Sequence, residues 1–183
     1  KINGGSNMEG LKLSKYNACI CEGSAEMAII DILLDHELLI FQREDLIEET
    51  PLLCRNGKKF EEQYLRRQFD DQITVFRILD SRREKFKLSK AYQSKVHVIN
   101  VITAPEIEML IIHNEGKYRQ FKKSNKKPSD FCKIDLKMAN VKDYDFVKEY
   151  FRDPAVLIRA ITKYKENVKT RNDEKMLWNL LRH

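Results

Sequence analysis

Asn17-Ala18-Cys19-Ile20-Cys21-Glu22-Gly23-Ser24-Ala25-Glu26 decides the reading of this chain: an apolar run stops on a carboxylate, turns at a glycine and enters a helical pattern. Ala18 to Cys21 is small and apolar at every position, as in a strand buried between two layers, and Gly23 gives the backbone freedom for a tight exit. Ser24 stands where an N-cap belongs. Met27, Ile30, Leu33 and Leu34 recur at helical spacing, which predicts an amphipathic helix beginning at the glycine. Glu22 then falls at the carboxyl end of a strand and Glu26 in the first turn of a helix. Open α/β sheets take ligands in the crevice beyond the carboxyl ends of their strands, so the two acids can face one hard cation. The same residues equally suit a solvated strand end and a Glu that only complements the helix dipole.

Two later stretches repeat the pattern. Ile73-Thr74-Val75-Phe76-Arg77-Ile78-Leu79-Asp80 is rich in β-branched and aromatic residues and again ends on an acid. The charged run from Ser81 to Lys87 follows, in which Glu84 can reach back over the strand end. Arg82 and Arg83 there are candidate nucleic-acid contacts, and a solvated helix face explains the run as well. Val96 to Ile102 is the third strand. Pro105 then suits the first turn of a helix, which carries Glu106 and Glu108 near its positive end. Strand and helix alternate over these junctions, which predicts an α/β fold with a largely parallel sheet flanked by helices. Between the first two junctions, Leu38 to Phe41 is a short apolar run of ambiguous type and Pro51 to Gly57 reads as a loop. Phe60, Tyr64, Leu65 and Phe69 read as a surface helix with Arg66 and Arg67 off its stripe.

The chain has 183 residues, enough for one domain with a sizeable core, and its 34 Lys and Arg outnumber 28 Asp and Glu to give +6. A basic balance favours a polyanionic partner, DNA or RNA, although many proteins of this charge bind neither. From Gly116 the candidates concentrate: Lys117, Arg119, Lys122, Lys123, Lys126 and Lys127 interleave with Tyr118 and Phe121, so lysines can meet phosphates while rings stack on bases. A solvated helix end fits the same run. From about residue 128 to residue 183 the pattern is helical, at Phe131 to Leu136, Tyr144 to Phe151, Ala155 to Tyr164 and Met176 to Leu181. Residues 1–7, with Gly4-Gly5-Ser6 before Met8, read as a cloning remnant, leaving residues 8–183 as the single domain.

The four cysteines form no CxxC pair, which points to reduced core residues and a cytoplasmic protein. No apolar run approaches the ~20 residues of a membrane span, and no signal-peptide core is visible. His36, His97 and His113 show no metal-ligand spacing. There is no P-loop, no G-x-G-x-x-G and no G-x-S-x-G, which removes support for an NTPase, a dinucleotide enzyme or a serine hydrolase.

Taken together, Cys21-Glu22-Gly23-Ser24-Ala25-Glu26, the strand ending at Asp80, and Ala104-Pro105-Glu106-Ile107-Glu108-Met109-Leu110-Ile111-Ile112-His113 resemble the TOPRIM (topoisomerase-primase) fold, most nearly its RloB-like branch. The resemblance spans about Asn17 to Leu136 and lies in the order and spacing of short motifs. It implies a compact sheet flanked by helices, an Mg²⁺ or Mn²⁺ site and phosphodiester hydrolysis on nucleic acid, often in phage defence beside a protein partner. By that pattern Glu22 aids proton transfer or holds metal, Asp80 is the first acid of a D-x-D, and Glu26 and Glu108 are additional acids. Arg82 stands where the second Asp belongs. An arginine cannot ligate Mg²⁺, so a two-ion mechanism lacks a ligand unless Glu84 or Glu108 supplies it. The alternative is a non-catalytic module of the same fold that binds nucleic acid or a partner.

Overall fold

Three runs of small, β-branched and aromatic residues pair as a parallel sheet: β1 (Tyr16–Cys21), β2 (Ile73–Leu79) and β3 (Val96–Ile102), in the order β1-β2-β3. Tyr16 lies opposite Ile73 and Cys21 opposite Ile78, while Ile73 lies opposite Val96 and Leu79 opposite Ile102, so all three strands end at the same edge. The computed structural model describes residues 11, 13–81, 85–103, 107–169 and 174–183. Both outer strands have further partners. Cys21 N–H donates to Leu52 O at 2.8 Å and Leu52 N–H to Cys19 O at 2.8 Å, while Ile102 N–H donates to Lys175 O at 2.6 Å. These single bridges cover edges that would otherwise present unpaired backbone groups.

The helices are α1 (Ser24–Asp35), α2 (Gly57–Tyr64), α3 (Lys90–Gln93), α4 (Met109–Asn114), α5 (Tyr118–Ser124), α6 (Pro128–Ile134), α7 (Tyr144–Tyr150) and α8 (Pro154–Asn167), with 3₁₀ turns at Arg43–Asp45 and Leu177–Leu180. Alternation along the strands divides the core. Cys19, Cys21, Phe76, Ile78, Ile99 and Val101 join the larger apolar cluster with α1, α4, α6, α7 and α8. Ala18, Ile20, Ile73, Val75 and Val96 join a thinner one with Leu52, Phe60, Leu65 and Leu88. An α/β class with a parallel sheet and helices on both faces is therefore correct.

Several local expectations change. Gly23, not Ser24, is the N-cap of α1, and Ser24 is its first helical residue. α1 is not amphipathic: Ala25, Glu26 and every residue from Ala28 to Leu34 are buried, because the helix lies between the sheet and α7. The buried charge at its middle, Asp31, is met by Arg43 at 2.7 Å and by the Tyr144 hydroxyl at 2.9 Å. Leu38 to Phe41 is no sheet strand; Leu39 bridges antiparallel to Leu181 in the last residues of the chain. α2 stops at Tyr64, so Phe69 belongs to the loop beyond it. All four cysteines are buried and none forms a disulfide, and among the described residues no helix is long and apolar enough to cross a membrane.

The thick layer also holds His113, only 3% exposed on α4. Its ring stacks on Tyr118 of α5 with centroids 4.5 Å apart and meets Tyr164 of α8 edge-on at 5.9 Å. Nε2 has no hydrogen-bond partner. Burial, aided by the Lys163 ammonium, pushes the imidazole down to about 4 from its ordinary 6.5. A base held neutral in the fold contributes stability that is complete above the unfolded value of 6.5 and is lost as pH falls from there through 4. The shift corresponds to roughly 3 kcal/mol. Urea unfolding at pH 7 and pH 4 is expected to show this loss in the parent, and His113→Phe to remove most of that difference.

Candidate functional site

The shared strand edge leaves backbone groups with no next ladder partner, and charged side chains take them up. Glu22 directly follows β1 and is 7% exposed. Its Oε2 accepts the Asp80 N–H at 2.7 Å, standing in for the rung that β1 no longer supplies to β2. Its own carbonyl accepts Nε and Nη2 of Arg55 at 3.0 and 2.7 Å. At the neighbouring strand end the ladder itself continues, with Thr103 N–H donating to Leu79 O at 2.8 Å and Thr103 Oγ1 adding a second donor at 3.0 Å.

Glu26 lies in the first turn of α1, with its carboxylate beside Gly23 and near the first backbone N–H groups of the helix. Burial is the largest influence on this carboxyl and raises its pKa. The Asp80 charge raises it further, against the opposing pull of those N–H groups and the Lys142 ammonium. Asp80, half-buried, has a carboxylate with no hydrogen bond or ion pair among the described residues. Glu26, Asp80, Arg55 and Lys142 line one cleft of about 170 Å³. A second cleft of about 510 Å³ shares Arg55 with it and is lined also by Glu22 and Lys59.

Glu108 is 1% exposed at the start of α4, and Lys142 Nζ approaches its Oε1 at 3.3 Å. Lys142 therefore ties this acid to the one holding Glu26 and Asp80. The structure thus brings Glu22, Glu26 and Asp80 to one edge of the sheet and links Glu108 to them through a lysine. Among the described residues no three His, Cys, Asp or Glu side chains close on a point that would hold an ion. Glu84, Arg82 and Arg83 lie outside the described residues.

The basic run folds as α5 and the turn into α6, and none of its six cations lines either cleft. Its rings face inward, Tyr118 on His113 and Phe121 edge-on to Phe131 at 5.5 Å, so they are not available to stack on bases. Lys126 pairs with Asp135 at 2.6 Å. Lys117, Arg119, Lys122, Lys123 and Lys127 are exposed and carry no ion pair among the described residues.

Sequence reasoning missed Lys142 and Arg55. Both lie in loops with no pattern of their own, and only folding brings them to the strand ends. Lys142 supplies the countercharge nearest a fully buried Glu108, while its own side chain is 56% exposed. Breaking a fully buried pair costs about 3–5 kcal/mol; solvation of the lysine reduces the expected cost of Lys142→Met to about 1–2 kcal/mol. Urea midpoints should show that loss at pH 7. It should shrink in acid, where the carboxyls it faces protonate.

Compared with known protein families, with curated proteins and with solved structures, the chain matches none.

Proposed function

We propose that this protein is a divalent-metal-dependent phosphodiester hydrolase of TOPRIM-like fold, acting on nucleic acid at the cleft beyond β1 and β2. The observation that carries the reading is Asp80. Among the described residues its carboxylate has no hydrogen bond or ion pair; it is half-buried and close enough to Glu26 to raise the pKa of that carboxyl. An arrangement of that kind is relieved by a cation. The donor set is all hard oxygen, and Mg²⁺ takes one or two carboxylates with waters and substrate phosphate filling its other positions. Asp80 with Glu26 meets that requirement without a three-residue cage.

The ion, when bound, would polarise the phosphodiester and acidify the attacking water. Asp80 would hold it. Glu26, whose carboxyl is pushed towards its protonated form, is suited to exchange a proton during the reaction. Glu22 would fix the Asp80 backbone, and Arg55 and Lys59 would draw the phosphates. The RloB-like resemblance adds a defence setting and a protein partner, and both stand or fall with cleavage.

Lys142 favours a second reading, a non-catalytic module that binds nucleic acid or a partner. Its ammonium already supplies positive charge beside Glu26, and Arg82 replaces an acid of the expected pair. Thermal melts with Mg²⁺ or Mn²⁺ separate the two when run beside cleavage assays on plasmid and single-stranded substrates. Metal at ~100 times its dissociation constant adds about 2.7 kcal/mol, a rise of roughly 5–10 °C in a domain of this size. Asp80→Asn is expected to abolish the rise and to leave the metal-free protein as stable as the parent or slightly more so. A rise without cleavage assigns the binding module, and no rise with either ion overturns the metal site.

A further inference from the structure

At the opposite end of the sheet the amino ends of the strands open on a cleft of about 590 Å³, within the range of small-ligand pockets. Tyr16 opens β1, Ile73 opens β2 and Lys95 immediately precedes β3, while the loop after α2 forms the remaining wall. Two kinds of side chain meet there. Tyr16, Phe69 and Tyr92 supply an aromatic wall. The Tyr16 and Phe69 rings lie edge-on with centroids 4.9 Å apart, and the Tyr92 hydroxyl donates to Leu65 O at 3.2 Å, which fixes the loop over the strand ends. Arg66 and Lys95 supply an exposed rim.

The charges divide unequally. Asp70 is met by Lys15 at 2.7 Å and by the Tyr16 hydroxyl at 2.6 Å. Asp71 accepts the Gln72 N–H at 2.7 Å, and Arg67 pairs with Glu48. The side chains of Arg66 and Lys95 are left with no hydrogen bond or ion pair among the described residues. A ring wall beside uncommitted cations matches a ligand that is flat and apolar at one end and anionic at the other.

We infer that this cleft binds a nucleoside phosphate, with the base against Tyr16, Phe69 and Tyr92 and the phosphate at Arg66 and Lys95. The ligand's source is a free nucleotide or the terminus of a nucleic-acid strand. Strands of this length separate the site from the acidic cleft by about 20 Å, so the inference does not depend on the metal reading. Base stacking on aromatic side chains tolerates any base, and the phosphate contacts make binding weaken with salt.

Calorimetric titrations in EDTA test it, with ATP, adenosine, and oligo(dA) with and without a 5′-phosphate as probes. The parent is expected to bind ATP about tenfold or more tightly than adenosine, with affinity falling as salt rises. Arg66→Ala/Lys95→Ala, which alters two exposed side chains, is expected to lose about tenfold with an unchanged urea midpoint. Phe69→Leu is expected to lose several-fold through the base, and Asp80→Asn to bind as the parent does. Tighter binding of the phosphorylated oligomer than of ATP identifies a strand terminus, and the reverse identifies a free nucleotide. Absence of binding by the parent at millimolar ATP overturns the inference. So does unchanged affinity in the double variant, or a loss confined to Asp80→Asn.

Discussion

Closure of the strand ends by charged side chains is the constraint on which the candidate site depends. A parallel sheet of three short strands leaves its last N–H and C=O groups facing a partly buried edge, where an unmade hydrogen bond costs about 1–3 kcal/mol. Glu22 supplies an acceptor to the Asp80 N–H, and Arg55 supplies two donors to the Glu22 carbonyl. These bonds set the spacing of β1 from β2 at the level where the acids emerge. The cleft is thus a product of how the sheet ends.

That origin makes the acids unequal. Glu22 has one oxygen committed to the backbone of β2, and its loss would free the very segment that carries Asp80. Glu26 sits in the first turn of α1, a largely buried helix, and its own carboxyl is raised in pKa chiefly by burial. Glu108 is held by Lys142. Asp80, of these four acids, has a carboxylate with no hydrogen bond or ion pair among the described residues. A ligand approaching this edge would therefore be recognised first by Asp80, with the other acids defining the walls around it.

What was legible in the sequence follows the same division. The three strands, their parallel order and the acids at two of their ends were readable, because β-branched runs ending on a carboxylate carry local information. The buried character of α1 was hidden, since Asp31 imitates a polar face until Arg43 and Tyr144 are seen beside it. Tyr118 and Phe121 were read as available for bases because sequence cannot say which way a ring turns on a short helix. Arg77 was hidden for a related reason. In the sequence it interrupts a strand, yet it is 3% exposed, with its guanidinium 4.8 Å from the Phe86 ring centroid. Lys142 and Arg55 act across long loops, and no local pattern marks a loop residue that pairs with a distant strand end.

Charge balance is the last constraint on the acidic edge. Among the described residues Glu22, Glu26, Asp80 and Glu108 share the two clefts and their margin with three cations, Arg55, Lys59 and Lys142, so full ionisation of these groups leaves them one charge negative. A partly buried surplus of that sign is relieved by taking up a proton or by taking up a cation. The raised pKa of Glu26 is the proton route already expressed in the fold. Metal binding would use the other route at the same carboxylates. Proton and cation are then competitors for one deficit, so whatever occupies the cleft must also set the protonation state of Glu26. This coupling would make Glu26 responsive to a ligand held mainly by Asp80, which is the relation a proton-transferring group needs to a phosphate-bearing centre beside it.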